Sequence, residues 1–392
     1  MICVSIGRGR HRFVMATHKH LAEQGAELIE LRLDYVNGPV NLKRLLTDRP
    51  TPVVITCRRK REGGKFKANE EERLMLLRNA IAHGVEYVDL EEDIAGEVPR
   101  FGNTRRIISL HDFRKTPDDL EAIHARLVKL DPDVVKICTM ANRPSDNFRM
   151  LRLVEQSKVP TVGICMGEMG IPSRILTGRF GAPFTYATFS EERALAPGQL
   201  SFEQMKEIYR YDAIDGETDV YGVIADPVGH SLSPLIHNAA FRQLKLNKVY
   251  IPIRVPREDL SRFMEEAPRL GIQGLSVTIP HKEAVVETLT EVDDAVRGIG
   301  AANTVVFEGD RRHGFNTDYR AAMDSLEATM EFVEGEPHPL DGKTALVLGA
   351  GGVGKAIVFG LVRRGAKVVL TDGMPARAEE LAERYQCRAI DW

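Results

Sequence analysis

The sequence is poor in features that mark several classes of protein. No stretch of the 392 residues is apolar over the roughly 20 residues that a membrane-spanning helix needs. The N-terminal segment MICVSIGRGR also lacks the apolar core of a signal peptide. The net charge is only −3, with 28% charged residues, so there is no electrostatic reason to expect nucleic-acid or membrane binding. We therefore expect a cytoplasmic protein whose partners are small molecules.

Cysteine is scarce as well. The five cysteines are scattered, without a Cys-x-x-Cys pair, at Cys3, Cys57, Cys138, Cys165 and Cys387. Four of them lie in strand-like runs, which favours reduced thiols packed in a core. Neither a disulfide framework nor a metal site is expected.

From residue 1 to about residue 205, short apolar runs alternate with amphipathic stretches such as residues 71–84 and 118–130. Eight runs separated by about 20 to 30 residues predict a (β/α)8 TIM barrel. A doubly wound open sheet is the alternative, but the number eight favours closure. The eight runs are residues 2–6, 27–33, 52–57, 86–91, 106–111, 133–138, 161–166 and 184–189.

Two further regions follow a polar connector, YDAIDGETD. The run VYGVIA begins a new α/β pattern, and TALVLGAGGVGKAIVFGLVRRGAKVVLTD reads as strand, glycine turn, helix and strand. We predict an α/β substrate domain and then part of a Rossmann dinucleotide-binding domain, since only part of its first half precedes Trp392. The predicted bounds are 1–212 for the barrel, 213–219 for a linker, 220–335 for the second domain and 336–392 for the third.

Chemically active side chains follow several of the predicted barrel strands. In a barrel, active-site residues lie at the C-terminal strand ends, where this chain has Glu30, Arg32, Arg58, His111 and Lys136, with Glu62 and Arg174 in the following loops. Each has an ordinary explanation: a lone histidine is often structural, Glu30 and Arg32 can pair with each other, and Lys136 can be an exposed strand end. Their joint occurrence at corresponding positions favours a catalytic site.

Lys136 lies inside the apolar run DVVKIC, although lysine is rarely buried. We expect burial and neighbouring cations to lower its pKa, so that a neutral amine can form a Schiff base with a carbonyl. A nearby histidine can move protons, and arginine suits a carboxylate. The residues therefore predict a lyase or aldolase that acts on a small anionic ketone.

The motifs ELRLD, TCRRKREGG, SLHDF, VKI, GEMGIPSR and APGQL, in this order, resemble the type I 3-dehydroquinate dehydratases over residues 1 to about 210. The resemblance implies conversion of 3-dehydroquinate to 3-dehydroshikimate, with Lys136 as the Schiff-base lysine, His111 as general acid and base, and Glu62 as its assistant. The implied substrate-binding residues are Ser5, Glu30, Arg32, Arg58, Arg174 and Gln199. Leu195 is a departure, because several family members have serine there.

The second region supplies polar side chains in turn-rich loops. Taken singly, Ser231 and Ser233 look like helix caps, and a lysine at a helix start is usually solvated. Taken together, Lys282 and Asp318 form a pair suited to moving a proton to or from a hydroxyl. In the third region GAGGVGKA lies between a strand and a helix, which is a specific signal for a dinucleotide phosphate site.

Residues 220–392 resemble shikimate dehydrogenase. The resemblance makes Lys282 and Asp318 the catalytic pair, and it implies substrate binding by Ser231, Ser233, Thr278, Asn303 and Asp318. Cofactor binding falls to Gly349, Ala350, Gly351, Gly352, Val353 and Gly354. NADP is the family's usual cofactor, but Asp372 in TDGM should repel its 2′-phosphate and favours NAD.

The order of the two modules supports both interpretations, because the product of the first reaction is the substrate of the second. We expect a bifunctional enzyme of aromatic biosynthesis, with little dehydrogenase activity in a chain that ends at Trp392. Quinate oxidation by the second module and a non-catalytic metabolite sensor are the alternatives. The oligomeric state stays open.

Overall fold

The computed structural model describes residues 1–330 and 338–392. It divides into two compact units, one formed by Met1–Val220 and Pro227–Val255 and the other by Tyr221–Asp226 and Pro256–Trp392. The predicted boundary between residues 335 and 336 lies outside the described residues, and the other predicted boundaries stay predictions. No helix of the described residues combines the length and the apolar character needed to cross a membrane.

The first unit contains eight parallel strands that follow one another around a barrel. Their order is β7-β6-β5-β4-β3-β2-β1-β8, so the first strand lies between the second and the last. This confirms the predicted barrel over an open doubly wound sheet. The strands are β1 Ile2–Ile6, β2 Leu28–Arg32, β3 Val53–Thr56, β4 Tyr87–Glu91, β5 Arg105–Asp112, β6 Val134–Met140, β7 Thr161–Met166 and β8 Thr185–Thr188.

Helices follow most of these strands, and each supplies an apolar face to the outside of the barrel. In α3, for example, Leu74, Leu77 and Ile81 are buried at helical spacing. The helices of this part are α1 His11–Glu23, α2 Leu42–Leu46, α3 Glu70–Ala82, α4 Leu120–Val128, α5 Ser145–Gln156 and α6 Ile171–Leu176.

The barrel interior is built in layers, because alternate residues of a strand face the same side. The lower part of the interior is an apolar cluster that fills the barrel. Its members are Cys3, Leu28, Val54, Tyr87, Ile107, Val134, Cys138, Val162, Ile164, Phe184 and Tyr186. Two residues further along several strands the same face carries polar groups, including Ser5, Glu30, Asp89, Ser109 and Lys136, all buried. The apolar layer thus supports a polar layer at the C-terminal ends.

The barrel is nearly closed, since the strand order joins seven neighbouring pairs and leaves β7 and β8 as the two ends. The loop after β8 spans this seam: the Gly167 amide donates to the Pro197 carbonyl at 3.1 Å. A side chain at residue 198 would place its Cβ 2.3 Å from the Gly167 carbonyl oxygen, so glycine is required there. The close approach fixes the loop that carries Gln199.

The rest of the first unit continues past the barrel. The predicted helix over residues 201–209 is a π-helix at Gln204–Ile208, in which the Tyr209 amide donates to the Gln204 carbonyl. Helix α7 (Ser233–Gln243) packs on strand β10 (Lys248–Arg254). Asn238 joins them through two hydrogen bonds to the backbone of Tyr250. Strand β9, Asp219–Ala225, precedes both in the chain, and its residues from Tyr221 onward belong to the second unit.

The second unit contains a mixed sheet in which β11, β13, β14 and β12 are neighbours in that order. Pairs β11–β13 and β13–β14 are antiparallel, and β12–β14 is parallel. The elements are β11 Ile272–Val277, β12 Glu291–Val292, β13 Thr304–Glu308, β14 Arg311–Phe315, α8 Leu260–Glu266, α9 Asp294–Ile299 and α10 Asp318–Thr329.

A three-stranded parallel sheet of order β15-β16-β17 completes this unit. Met323 of α10 packs closely on Gly360 of α11, where an added Cβ would lie 2.8 Å from the methionine side chain. The strand–helix alternation confirms the Rossmann-type pattern. Its elements are β15 Thr344–Leu348, α11 Gly352–Arg363, β16 Lys367–Thr371, α12 Pro375–Tyr385 and β17 Arg388–Ala389.

Candidate active sites

One cavity at the C-terminal ends of the barrel strands brings together all nine residues predicted for the barrel site. These are Ser5, Glu30, Arg32, Arg58, Glu62, His111, Lys136, Arg174 and Gln199. Phe113, Cys138, Met166, Tyr186 and Leu195 line the same cavity. Residues from seven of the eight strands, or from the loops after them, therefore meet at one place.

Lys136 is buried in this cavity, with only 5% of its surface exposed. Its Nζ donates to Asp89 Oδ2 at 3.0 Å and lies 3.7 Å from Glu30 Oε1. The expected lowering of its pKa is wrong. Burial does act to lower the pKa, but the carboxylates of Asp89 and Glu30 outweigh it and raise the pKa of Lys136. The resting lysine is therefore an ammonium held in an ion pair.

Asp89 is one of the residues around the cavity that were not predicted from the sequence. It accepts from Arg58 Nη2 at 2.7 Å, from Ser109 Oγ at 2.6 Å and from Lys136. The cations Arg58 and Lys136 hold the pKa of Asp89 well below its usual range despite burial. The run EYVDLE carried a signal for it, because strand alternation places Asp89 and Glu91 on the same face of β4.

His111 lies at the end of β5, where Ser109 pairs in register with Lys136 and His111 with Cys138. Burial lowers the pKa of His111 well below its ordinary value, and the cations Arg58 and Lys136 add to this effect. Its ring stacks on Phe113, with centroids 6.2 Å apart and planes 16° apart. His111 is thus a neutral imidazole at neutral pH, ready to accept a proton.

Arg58 joins the carboxylates of the site into a buried network. Its Nη1 lies 3.0 Å from Glu91 Oε1 and 3.7 Å from Glu62 Oε2. Glu91 in turn accepts from Arg73 of α3 at 2.7 Å, an arginine that is completely buried. Burial and the Glu91 carboxylate raise the pKa of Glu62, against the opposing effect of Arg58 and Arg59. Arg73 and Glu91 are therefore supports of the site that the motifs did not reveal.

Glu30 is held from both sides by hydroxyl groups. Ser5 Oγ donates to Oε2 at 2.6 Å, and Thr56 Oγ1 donates to Oε1 at 2.7 Å. Arg32 makes a bidentate pair with Asp34, with both nitrogen–oxygen distances 2.9 Å. The expected alternative of a simple Glu30–Arg32 pair is therefore not what the structure shows.

Arg174 of α6 differs from the other arginines because it lacks a charged partner. It is 3% exposed, its Nη2 donates to the Pro197 carbonyl at 3.0 Å, and its Nε has no hydrogen-bond partner among the described residues. Burial lowers its pKa, and no carboxylate opposes the effect. A buried guanidinium without an anion is costly, so this residue is suited to an anionic ligand.

Gln199 and Leu195 come from the loop that closes the seam. Gln199 Oε1 accepts from the backbone amides of Leu195 at 2.8 Å and Ala196 at 3.2 Å. Gln199 and Leu195 both line the cavity, and Leu195 contributes an apolar side chain to it. Leu195 has no hydroxyl group, so it cannot make the contact that a serine would make at this position.

In the second unit, Lys282 and Asp318 form a close ion pair, with Nζ and Oδ2 2.6 Å apart. Asn303 Nδ2 donates to Asp318 Oδ1 at 2.8 Å, and Asn303 Oδ1 accepts from the Thr317 amide at 3.0 Å. Lys282 is thus not a solvated lysine at a helix start, and the predicted residues Lys282, Asn303 and Asp318 lie together. Thr278 lies in the turn before Lys282, where its carbonyl accepts from the His281 amide.

Ser231 and Ser233 belong to the first unit, at the start of α7. Ser231 Oγ accepts from the Ser233 amide at 3.3 Å, but the helix has no side-chain cap at its N-cap residue, Leu232. The capping explanation therefore accounts for only part of this motif. The role of both serines in a substrate site stays a prediction.

The glycine-rich turn connects β15 with α11. A Cβ on Gly354 would lie 1.9 Å from the Gly349 carbonyl oxygen, so the tight turn requires glycine there. Within the described part of the chain, no atom lies within 4 Å of a Cβ built on Gly349 or Gly351, which leaves room beside the turn. Gly352 packs on the side chain of Lys282, with a built Cβ 3.2 Å from it. The turn therefore adjoins the Lys282–Asp318 pair.

Asp372 follows β16 beside the same turn. Its Oδ2 accepts from the Ala350 amide at 2.7 Å, and its Oδ1 accepts from the Met374 amide at 2.7 Å. These backbone hydrogen bonds lower its pKa, so the carboxylate is ionised. A fixed negative charge thus stands next to the glycine turn.

Comparisons with known proteins agree with this arrangement. Residues 2–215 match the family model of type I 3-dehydroquinase. Residues 223–305 match the shikimate dehydrogenase substrate binding domain, and residues 344–391 match the coenzyme F420-dependent NADP oxidoreductase model.

Two curated proteins and one solved structure are among those similar to this chain. The chain is 37% identical over 388 residues to the chloroplastic bifunctional 3-dehydroquinate dehydratase/shikimate dehydrogenase of Arabidopsis thaliana, covering 94% of this chain and 64% of that protein. It is 45% identical over 175 residues to the NADP(+) shikimate dehydrogenase of Methanopyrus kandleri, covering 44% of this chain and 58% of that protein. A solved structure of dehydroquinate dehydratase and shikimate dehydrogenase from S. pombe AroM covers 100% of this chain and 78% of its own, with 25% identity and a TM-score of 0.46.

The chain thus spans less than two thirds of the length of these two curated relatives. The first family model alone matches more than half of it, over the part that forms the barrel and carries Lys136 and His111. The chain belongs to the type I 3-dehydroquinase family.

Proposed function

We propose that the barrel dehydrates 3-dehydroquinate to 3-dehydroshikimate through a Schiff base on Lys136, and that the second module acts as a shikimate dehydrogenase. The observation that carries the first activity is the composition of the barrel cavity. It combines a buried lysine, a neutral histidine and a buried arginine that lacks an anionic partner. A ketone that carries a carboxylate satisfies all three groups.

The chain's own residues account for each step of the dehydration. Arg174 binds the substrate carboxylate, which replaces the missing anion at its guanidinium. Lys136 gives up one proton, and its nitrogen lone pair forms a bond with the ketone carbon while the carbon–oxygen π bond breaks. The oxygen takes up that proton and a second proton from the nitrogen and leaves as water, which gives a protonated iminium.

His111 then takes a proton from the carbon next to the iminium, since its neutral imidazole is a base at neutral pH. The electron pair moves into a carbon–carbon double bond, and the neighbouring hydroxyl leaves as water with a proton from the imidazolium. A second water hydrolyses the iminium and restores the lysine. The net change is the loss of one water from the substrate.

Borohydride reduction in the presence of 3-dehydroquinate tests this mechanism. Mass spectrometry of a protease digest is expected to place the reduced adduct on the peptide that contains Lys136, and Lys136→Met should give neither adduct nor water loss. Lys129→Met, at an exposed lysine of the same barrel, is the matched control and should behave as the parent. Water loss that persists in Lys136→Met would refute the Schiff-base mechanism.

For the second module, the residues around the glycine turn fit a nicotinamide dinucleotide. The turn has open space beside it, begins a helix whose N-terminus favours phosphate, and adjoins Lys282. The bound cofactor would supply the hydride chemistry. Lys282 and Asp318 would hold and move the proton at the substrate hydroxyl oxygen, with Asn303 fixing the carboxylate.

Substitution of the ion pair tests this role. Lys282→Met and Asp318→Asn should each remove the small shikimate-dependent growth of the nicotinamide absorbance band that is expected of the parent, with dehydratase activity unchanged. Persistence of that absorbance change in either variant would remove the pair from the mechanism.

We further propose that NAD rather than NADP is the preferred cofactor. The ionised Asp372 is hydrogen-bonded to the turn itself, where it can bind a ribose hydroxyl and repel a 2′-phosphate. A measured preference for NADP in equilibrium binding would overturn this assignment.

A further inference from the structure

Tyr186 of β8 is a cavity residue that no motif of the sequence indicated. Its side chain points into the barrel interior, is 4% exposed and lines the cavity that holds Lys136. Lys136 Nζ lies over the face of its ring, 3.9 Å from the centroid. The reactive nitrogen therefore lies between an aromatic face and the carboxylate of Asp89.

The face of an aromatic ring attracts a cation, and the attraction is strongest where water is excluded. The ammonium of the resting lysine carries this charge, and so does the iminium formed from it. The carbinolamine that precedes the iminium is neutral in its ground state. A ring at this distance thus favours the charged covalent state over the neutral one.

We propose that Tyr186 is a catalytic residue of the dehydratase, whose ring face stabilises the positive charge on Lys136 Nζ in the Schiff base. This inference rests on the proposed Schiff-base mechanism. In the step that it assists, the amine, the ketone and one proton give the iminium and one water. The ring supplies no proton and forms no bond.

The hydroxyl group of Tyr186 is not the group in contact with the lysine. It is buried and has no hydrogen-bond partner among the described residues. The ring and the hydroxyl can therefore be separated by substitution: Tyr186→Phe keeps the ring face, and Tyr186→Leu removes it.

The neighbouring residue Phe184 provides a matched control. It lies two positions earlier on β8, is completely buried and meets the Tyr186 ring edge-on, with centroids 5.7 Å apart. No cation was found over its ring among the described residues. Phe184→Leu therefore removes a similar amount of aromatic packing without changing the surroundings of Lys136.

Several other groups also influence the pKa of Lys136, and the substitutions at Tyr186 and Phe184 leave all of them in place. They are Asp89, Glu30, Arg58, Cys138 and His111. Loss of the ring should make the ammonium less stable, which moves the acid limb of the kcat/KM profile to lower pH. Loss of packing alone should leave that limb in place.

The experiment compares the three variants with the parent in kcat, in the rate of borohydride trapping with 3-dehydroquinate, and in the pH profile. Tyr186→Leu is expected to lower kcat and the trapping rate by about 10- to 30-fold and to move the acid limb down. Tyr186→Phe should stay within about threefold of the parent. Phe184→Leu should be less stable, with an unmoved pH profile.

The inference is overturned if Tyr186→Leu matches Phe184→Leu in trapping and pH profile, or if Tyr186→Phe is as impaired as Tyr186→Leu. If Tyr186→Leu does not fold, Tyr186→Met replaces it, because its unbranched side chain fills irregular space. Failure of the parent to give any adduct would instead refute the Schiff-base proposal itself.

Discussion

Replacement of Arg174 by methionine should weaken substrate binding without destabilising the protein. The residue is buried, donates one hydrogen bond to the Pro197 carbonyl and has no ion pair. Removal of the guanidinium removes the free-energy cost of burying a cation without an anionic partner, which stabilises the folded state. Loss of the hydrogen bond destabilises it by about 0.5 to 1.5 kcal/mol. The two effects oppose each other, so the free energy of unfolding should stay within about 1 kcal/mol of the parent or rise.

Substrate binding should respond much more strongly. Removal of one partner from a buried, charge-assisted pair costs about 2 to 5 kcal/mol. With 1.4 kcal/mol for each factor of ten, a value near 3 kcal/mol corresponds to roughly a 100-fold rise in the Kd for 3-dehydroquinate. The expected signature is a large loss of affinity in a protein of unchanged stability.

Arg73→Met is the contrasting variant, because Arg73 is equally buried but fully paired. It donates to Glu91 at 2.7 Å and to the Cys57 carbonyl at 2.8 Å. Its removal takes one of two cationic partners from the buried Glu91 carboxylate, leaves only Arg58 beside it, and should cost about 3 kcal/mol of stability. Chemical denaturation of the barrel and titration calorimetry with substrate measure both quantities. Equal destabilisation by the two substitutions, or an unchanged Kd in Arg174→Met, would refute the reasoning.

Three further predictions concern single groups. Asp89→Asn removes a charge that raises the pKa of Lys136, so the acid limb of borohydride trapping should move to lower pH; a limb that stays in place would contradict the assignment. Burial lowers the pKa of His18 to about 4, against about 6.5 in the unfolded chain, so the unfolded state binds more protons between these values. The free energy of unfolding should therefore fall by roughly 2 to 3 kcal/mol as pH drops from 6.5 to 4. Denaturation at several pH values should show a weaker pH dependence of this free energy in His18→Gln. An equal pH dependence in both proteins would be the contrary result. Asp372→Ser should improve NADP binding relative to NAD by about tenfold or more, since like charges no longer meet; an unchanged ratio of the two Kd values would exclude repulsion at this site.

The barrel strands could be predicted from the sequence because both faces of a parallel barrel strand are buried. Such strands are continuous apolar runs with flanking helices. The observed bounds of β1 and β7 equal the predicted ones, and those of the other six strands differ by at most two residues at either end. The unusual helix at Gln204–Ile208 could not be foreseen in this way. A π-turn differs from an α-turn by one hydrogen-bond register, which residue periodicity over nine positions does not resolve.

The meeting of polar residues in the barrel cavity was predictable where one strand end carried a distinctive side chain, as at Lys136 and His111; their catalytic roles stay predictions. The protonation state of Lys136 was not, because it depends on Asp89, which is 47 residues away in the chain. The fold of the sheet brings the two side chains together in the barrel interior, whereas a short stretch of sequence does not show which cation meets which anion. The protonation state of a buried group can therefore be predicted only when the register of the strands is known.

The ion pair between Lys136 and Asp89 has a consequence for selectivity. A protonated amine has no lone pair to offer, so aldehydes and ketones that enter the barrel by chance meet an inert group. Under the proposed mechanism, Schiff-base formation begins only when a bound ligand shifts the charge balance around Lys136 Nζ. The ion pair with Asp89 would then make the lysine selective for ligands that bring a charge of their own.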